Sequence, residues 1–427
     1  MSHYSPDTPS LEKLYKSLSS ELESLYYFLK NYQLIWSEEV LNNYPLTLSQ
    51  YNNDWLKIIS HLTIDQEWQV DCGKSIDDLP SSDLKTLLLK LQMFEKIPRW
   101  QGTEKGNYPS WAFFKVSGKK QHEIEKVVQT LPIFKLRPGD HFIDIGGGKG
   151  HLARILTLYH GLNGVTLDSN FEFQDLGIKR LHKYKKPQGH GQLEFILHTF
   201  GEESLISKEA EYFKNIQLSL GLHTCGPLAL HHLSKLRDDQ SLLNFGCCYQ
   251  KMDIKTDVIL SHFAKKYAPL SFTKHALTLA TRGHTSITFK EYLLKKKVKR
   301  MRAGLHFFMI ENGIQSGFVT VGSAPPRLYN LSFSEYVVTK LKEIGAQSFL
   351  NECSTSDIEN FWEKDDTQNK INEVYRACLI RWRFGRVLEK FIIYDRALSC
   401  IEKGFPVEVY QFFDEKISPR NIGLIKR

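Results

Sequence analysis

The stretch IDIGGGKGHLARIL, residues 143–156, determines how the rest of the sequence is interpreted. Four glycines fall within five residues, after an apolar run and before a pattern typical of a helix. A strand, a glycine-rich turn and a helix start expose backbone N–H groups and the positive end of the helix dipole to a ligand. The turn therefore predicts a binding site that excludes side chains, although a tight turn without a ligand would also favour glycine.

Short apolar runs of β type recur along the middle of the chain. They are HFIDIG, GVTLD, LEFILHTF, SLGLHTC and SLLNFGCCY, and helix-length segments separate them. Strands that alternate with helices predict an α/β fold, in which helices cover both faces of a parallel sheet. Helical periodicity predicts a helical N-terminal region over 1–115, followed by the α/β domain over 116–330. The segment 331–427 predicts a C-terminal α/β extension that packs on this domain, and its SFSEYVVTKLKEIG has the serine start and glycine stop of a helix.

The composition is that of an ordinary globular protein with a mild basic excess. The chain has 427 residues, of which 41% are hydrophobic and 24% charged, and its formal net charge is +8. This charge favours anionic partners without establishing nucleic acid. We find neither a leader pattern nor an apolar run of about 20 residues, and so expect a soluble, cytoplasmic or nuclear protein without membrane contact. Seven unevenly spaced cysteines predict reduced thiols.

Three ligand classes compete for the glycine-rich turn. A Walker loop would need Ser or Thr after Lys149, but Gly150 stands there. A dinucleotide fingerprint would place its glycines late relative to the strand. The pattern Asp144-x-Gly146-x-Gly148-x-Gly150 resembles motif I of class I S-adenosylmethionine-dependent methyltransferases. This resemblance implies a Rossmann-like methyltransferase sheet with S-adenosylmethionine as cofactor.

The strand after the glycine-rich turn ends in an acid. Asp168 at the end of GVTLD is positioned to accept both ribose hydroxyls of a cofactor. Asp is also a common helix N-cap, which is the alternative role for this residue. The segment 197–200 follows the third strand and includes Thr199, and in such folds this segment lines the adenine pocket.

Two further strand ends carry sulfur. GLHTCGPL and NFGCCYQKM place five residues at the carboxyl edge of the sheet, beside the expected cofactor: His223, Cys225, Cys247, Cys248 and Tyr249. Three interpretations remain open. The first is a zinc site of His223, Cys225 and one or both of the paired cysteines, and the second is a reactive thiol or acid–base pair in which His223 acts on a cysteine or on the substrate. The third is that small buried cysteines shape the pocket. Because no CxxC pair is present and free cysteines are often simply buried, we assign no metal from the sequence.

Several segments together resemble the methyltransferase-like protein 25 family, also described as ribosomal RNA adenine dimethylase domain-containing proteins. They are FIDIGGGKGHLARIL, GLHTCGPLAL, FGCCYQKM, the terminal SPRN and the basic GKKQHEIEKV at 118–127. The resemblance implies a methyltransferase fold that binds its cofactor at Asp144, Gly146, Gly148 and Asp168, and it leaves the substrate open. More distantly, the Cys-Gly strand end with the double cysteine is similar to transfer RNA 2'-O-methylating enzymes.

The sequence departs from amino-directed methyltransferases after the fourth strand. Those enzymes carry an Asn/Asp/Ser-Pro-Pro-Tyr/Phe loop there, whereas HTCGP stands at 223–227. The segment after GCCY is also unusual, because relatives often continue into Gly-Tyr-Pro-Leu-Ser and this chain continues into QKMDIKTD. The sequence therefore lacks the loop that orients the amine in adenine dimethylases.

The chemistry of methyl transfer assigns roles to two side chains. An amine or hydroxyl acceptor must lose a proton, and His223 is suited to remove it or to orient the acceptor, with Tyr249 nearby. The basic clusters are the runs at 295–302 and 182–191. The first predicts phosphate contacts or a nuclear import signal, or alternatively a solvated helix face. We therefore expect an RNA or protein substrate. The alternative is a catalytically inactive scaffold protein that keeps the fold.

Overall fold

The computed structural model describes residues 9–74, 76–102, 106–201, 211–282, 287–319, 321–322 and 324–427. The chain divides into two compact units. One comprises Met1–Asn31, Glu95–Thr285 and Arg386–Arg427, and the other comprises Tyr32–Phe94 and Ser286–Gly385. Each unit is assembled from segments that are far apart in sequence, whereas the sequence analysis described three consecutive regions.

The first unit contains the seven-stranded sheet. Its strands are β1 His141–Ile145, β2 Asn163–Asp168, β3 Leu193–Leu197, β4 Ile216–Cys225, β5 Ser241–Cys247, β6 Glu408–Gln411 and β7 Ile422–Lys426. The strand order is β3-β2-β1-β4-β5-β7-β6. The first five strands run parallel, and β7 pairs antiparallel with both β5 and β6. The predicted Rossmann-like methyltransferase fold is confirmed.

Apolar side chains on both sides of the strands explain why the sheet is covered on both faces. Phe142 belongs to one core, with Ile124 and Leu156 from two flanking helices. Its neighbour Ile143 faces the other core, with Leu167. Burying such a side chain stabilises a fold by about 1.5–3 kcal/mol. Parallel sheets are characteristically buried in this way.

The helices of the first unit precede, separate and follow these strands. They are Leu11–Asn31, Gly118–Val128, His151–His160, Phe171–Leu181, Pro227–Ser234, Lys274–Thr281 and Gly385–Ile401, with 3₁₀ turns at Ser110–Phe113, Leu131–Phe134, Tyr249–Lys251 and Ala264–Lys266. The C-terminal strands lie inside the central sheet, whereas the sequence analysis placed them in an extension. Their pairing with β5 is remote in sequence, so local patterns do not reveal it.

The order of strands creates a crevice beside β1. From β1 the chain builds β2 and β3 on one side and then crosses to β4 and β5 on the other. In open α/β sheets, ligands bind at the carboxyl ends of the strands where the direction of winding reverses. The glycine-rich turn follows β1 and therefore lies at this point.

The second unit is helical. Its helices are Gln33–Ser37, Asn53–Ser60, Ile64–Asp71, Asp83–Phe94, Phe289–Glu311, Phe333–Glu343, Thr355–Glu363 and Asp365–Trp382, with 3₁₀ turns at Leu46–Gln50, Pro326–Asn330 and Gln347–Asn351. In the described ranges, no helix is both long enough and apolar enough to span a bilayer.

The basic run at 295–302 lies in this second unit and is largely paired within it. Lys295 forms an ion pair with Asp71, and Lys296 forms one with Glu67. Arg300 donates hydrogen bonds to Asn372 and Gln368. This run is therefore neither a free phosphate-binding surface nor a purely solvated face. Several of its cations form ion pairs or hydrogen bonds with neighbouring helices. The sequence could not show this, since the acids come from a helix more than 200 residues away.

Candidate active site

The glycine-rich turn adopts a backbone conformation that other residues rarely reach. Gly146, Gly148 and Gly150 have φ angles of 68°, 59° and 63°. Left-handed geometry of this kind costs a side-chain-bearing residue about 1–2 kcal/mol. The amides of Gly146 and Gly147 both donate to the carbonyl of Leu167, at 2.8 and 3.2 Å. The turn is therefore fixed to the end of β2.

Side chains are disfavoured at Gly147 and at Gly148 for different reasons. A Cβ at Gly147 would lie 2.1 Å from Thr166 Oγ1 and 2.6 Å from Asp144 Oδ2, so the protein itself excludes a side chain there. A Cβ at Gly148 would meet only ordinary contacts, at 3.8 Å from Phe173 and 3.9 Å from Asp168 Oδ2. Apart from the strain of its backbone, a side chain at Gly148 would therefore have space beside the Asp168 carboxylate.

Asp168 holds the turn through its carboxylate. Its Oδ2 accepts the Gly148 N–H at 2.9 Å, and its Oδ1 accepts the Asn170 N–H at 2.8 Å. The following helix is capped by Asn170, whose side chain accepts the Phe173 N–H. Asp168 is therefore not the helix cap considered from the sequence. Because a carboxylate offers about four acceptor positions, each oxygen can still accept a second hydrogen bond.

Asp144 is buried beneath the turn. Only 2% of the residue is exposed. Burial raises the pKa of this carboxyl to about 7, while the Lys120 ammonium opposes the rise and Asp168 adds to it. A nearby cation would favour ionisation of Asp144, so this group is suited to respond to a positively charged ligand.

The segment after β3 is attached to the same edge of the sheet. The backbone N–H of His198 donates to the Asp168 carbonyl at 3.0 Å, and the next residue, Thr199, is exposed. The adenine-pocket role expected for Thr199 stays a prediction.

His223 lies at an irregularity in β4. Its φ is 66°, and the pairing of β4 with β5 shifts register between Leu222 and Thr224. His223 Nε2 lies 2.7 Å from Glu123 Oε1, and 23% of the His223 side chain is exposed. Since a carboxylate only accepts, Nε2 carries the proton in this pair, so in the neutral ring the lone pair is on Nδ1. In that form of the ring, His223 can accept a proton at Nδ1.

Glu123 is a site residue that the sequence motifs do not indicate. Its side chain is 1% exposed, and Oε1 also accepts the Ser418 hydroxyl at 2.7 Å. Burial alone would raise its pKa, but hydrogen bonds from His223 and Ser418 and the charge of Lys120 lower it to about 2. Glu123 is consequently ionised at neutral pH. Glu123 belongs to the segment GKKQHEIEKV, which was noted in the sequence. Its partner His223 is 100 residues away, so no local pattern indicates their contact.

The structure brings the three cysteines of the two strand ends together. Cys225 Sγ lies 3.3 Å from the sulfurs of both Cys247 and Cys248. All three sulfurs lie within 4.8 Å of one another. Hydrogen bonding with Cys247 lowers the pKa of Cys225, although burial opposes this. The same hydrogen bond raises the pKa of Cys247, and burial raises the pKa of Cys248.

Tyr249 lies in the interior of the unit. It is 1% exposed, and its hydroxyl donates to Glu389 Oε1 at 3.2 Å. Arg386 donates to the other oxygen of Glu389 at 2.8 Å and also to Asn421. Tyr249 thus ties the end of β5 to the C-terminal helix and the terminal strands. This geometry favours a structural role over the expected contact with an acceptor.

Comparison with solved structures gives limited likeness. E. coli YjhP is 16% identical over 32% of this chain and 53% of its own, with a TM-score of 0.23. M. capricolum TrmK, in complex with S-adenosyl-homocysteine, is 12% identical over 59% of this chain and 97% of its own, with a TM-score of 0.21. Coclaurine N-methyltransferase, bound to N-methylheliamine and SAH, is 12% identical over 86% of this chain and 95% of its own, with a TM-score of 0.25. Scores this low carry no argument about function.

Comparison with protein families gives a match inside the first unit. Residues 119–255 match the sequence model of a family described as a methyltransferase domain. The matched segment begins in the helix that carries Glu123 and ends just after the paired cysteines. The glycine-rich turn, His223 and the thiols therefore all lie within the part of the chain that is similar to methyltransferase domains.

Proposed function

We propose that this chain is an S-adenosylmethionine-dependent methyltransferase and that its acceptor is RNA. The observation that carries the first part is the pairing of Gly148 with Asp168 at the reversal point of the sheet. This pairing places an open backbone turn beside a carboxylate that can still accept hydrogen bonds. Ribose hydroxyls of the cofactor would donate to Asp168.

The methionine end of the cofactor carries an ammonium group and a sulfonium. Asp144, under the turn, would supply the complementary negative charge once it is ionised. The glycine turn leaves the cofactor space to pass above it. We place the methionine end beside Asp144 and the ribose beside Asp168, which follows the order of β1 and β2.

Methyl transfer is an in-line displacement at the methyl carbon, and an amine or hydroxyl acceptor must lose its proton. His223 Nδ1 would take this proton, while Glu123 holds the ring and stabilises the imidazolium that forms. General-base assistance of this kind contributes about 10²–10⁴-fold to a rate. The remainder of the rate enhancement comes from positioning the acceptor near the methyl group.

A basic and aromatic cavity in the same unit supports RNA as the acceptor. The cavity has a volume of about 490 Å³, and cationic and aromatic side chains dominate its lining: Lys115, Lys179, Arg180, Lys183, Lys185, Trp111, Phe114 and Tyr184. Bases of single-stranded nucleic acid stack on aromatic rings while cations follow the phosphates. The lining is therefore complementary to a single strand of RNA.

The cavity is close to the glycine-rich turn. Arg180 in its lining contacts the ring of His151 at 3.3 Å, and His151 is the first residue of the helix that follows the turn. Arg154 of this helix lies 4.1 Å from the centre of the Tyr184 ring. Burial lowers the pKa of His151 to about 3, and the nearby charges of Arg154 and Arg180 add to this effect. An RNA strand bound there would pass beside the cofactor.

Calorimetric titration tests the cofactor assignment. S-adenosylmethionine and S-adenosylhomocysteine are titrated into the wild type, Asp168→Ala and the control Asp239→Ala, whose carboxylate is exposed elsewhere in the unit. We expect micromolar binding by the wild type and the control, and at least ten-fold weaker binding by Asp168→Ala. Folded wild type that binds neither compound would refute the proposal and favour the inactive scaffold.

RNA binding and methylation test the acceptor. We compare the double variant K183E/K185E with K265E/K266E, since all four lysines are exposed in the same unit. The first pair should weaken RNA binding and reduce the slope of log K against log salt by about 1.4, at about 0.7 per lost single-strand phosphate contact. Equal behaviour of both variants would refute the cavity as the RNA-binding surface, and methyl label that enters only protein would exclude RNA as the acceptor.

A further inference from the structure

Three thiols from two neighbouring strand ends converge on one point. Cys225 ends β4, Cys247 ends β5, and Cys248 follows it. The sulfur of Cys225 is 3.3 Å from each of the other two, and the three lie within 4.8 Å of one another. Cys225 and Cys248 are partly accessible, so an ion can enter.

The backbone is bent so that this convergence is achieved. Successive side chains of a strand point to opposite faces, so Cys248 would point away from Cys247 if β5 continued. Instead, Cys248 adopts φ 54° and ψ 49°, a left-handed conformation that costs a non-glycine residue about 1–2 kcal/mol. Strain of this kind concentrates at functional sites, and here it returns the Cys248 sulfur to the side of Cys225.

We propose that Cys225, Cys247 and Cys248 bind one Zn²⁺ ion through three thiolates. Tetrahedral zinc with Zn–S bonds of about 2.3 Å requires sulfurs about 3.8 Å apart. The two 3.3 Å separations would have to open by only about half an ångström. A disulfide would instead need one pair to close to about 2.05 Å, which is a larger movement.

Nearby cations balance the charge of such a zinc–thiolate complex. Three thiolates and Zn²⁺ carry a net charge of −1, and the cations of Lys251 and Arg420 act on Cys225 and Cys248 respectively. A site with three protein ligands leaves a fourth position for water or an exchangeable ligand. That position would lie at the carboxyl edge of β4 and β5. The inference does not depend on the proposed methyl transfer.

Metal content and cobalt spectroscopy test this site. Zinc is measured in the purified full chain by inductively coupled plasma mass spectrometry, for the wild type, Cys225→Ser, Cys248→Ser and the control Cys353→Ser. The Cys353 thiol contacts the carbonyl of Ser354 in the second unit. Circular dichroism checks that each variant is folded. Co²⁺ is then added to metal-free wild type.

We expect one zinc per chain in the wild type and in Cys353→Ser. Cys225→Ser and Cys248→Ser should lose at least 90% of it while they stay folded. Co²⁺ should give the intense near-ultraviolet thiolate charge-transfer band. Folded wild type without zinc and without a cobalt band would overturn the proposal, as would full zinc content in Cys225→Ser. A Cys225 disulfide found in its place by mass spectrometry would also overturn it.

Discussion

The substitution Gly148→Ala separates the folding role of the glycine-rich turn from its binding role. An added methyl group would have only ordinary contacts with the protein, the nearest at 3.8 Å, so its folding cost comes from the backbone alone. With φ at 59°, that cost is about 1–2 kcal/mol. The same methyl group would stand 3.9 Å from Asp168 Oδ2, where the cofactor must approach.

Gly189→Ala is the matched control. Gly189 has φ 75°, and an added Cβ there meets no atom within 4 Å. Both variants should therefore lose about 1–2 kcal/mol of stability and show similar decreases in Tm. Only Gly148→Ala should bind S-adenosylmethionine at least ten-fold more weakly, which is about 1.4 kcal/mol of binding free energy.

Differential scanning fluorimetry and isothermal titration calorimetry on the two variants measure both effects. Unchanged cofactor affinity in folded Gly148→Ala would refute the assignment of this turn as the cofactor site. An equal loss of affinity in Gly189→Ala would show that strain, and not contact, causes the effect.

Three side chains of the site have separable effects on binding, turnover and stability. Asp144, with its pKa near 7, must release a proton before it can attract a cation, so S-adenosylmethionine should bind about fifteen-fold more tightly at pH 7.0 than at pH 5.5; calorimetry should find this dependence absent in Asp144→Asn. Glu123→Gln should lower the initial rate of methyl incorporation by about 10–100-fold with cofactor affinity unchanged, because the positioning of His223 is weakened; equal rates would contradict that role. Tyr249→Phe should cost about 1 kcal/mol in chemical denaturation, through the lost hydrogen bond to Glu389, and a large loss of turnover instead would restore a catalytic role.

Local patterns predicted the elements that local interactions form. The serine start and glycine stop of SFSEYVVTKLKEIG are confirmed by the helix Phe333–Glu343, in which Ser332 and Glu335 form a capping box. The alternating apolar runs are confirmed as strands, and the left-handed glycines as the turn after β1. Each of these features is determined by residues within a few positions of one another.

Features that depend on contacts between distant residues could not be predicted from the sequence. The contact of His223 with Glu123 joins residues 100 positions apart, and the paired residues of β5 and β7 are at least 180 positions apart. Tyr249 follows a strand end that points to the crevice, yet the local turn directs it to Glu389, 140 residues away. The resemblance to the methyltransferase-like protein 25 family stays a prediction, because it implies no family-specific contact that the fold could confirm.

Transfer of a radioactive methyl group from S-adenosylmethionine to total RNA is the most direct test of the central claim. With S-adenosylmethionine below saturation, the purified wild type should label RNA and Gly189→Ala should do so at a comparable rate. Gly148→Ala should label RNA at least ten-fold more slowly, and His223→Ala should incorporate at most a few per cent of the label. Wild type that binds the cofactor but transfers no methyl group to RNA or to protein would contradict the assignment as a methyltransferase.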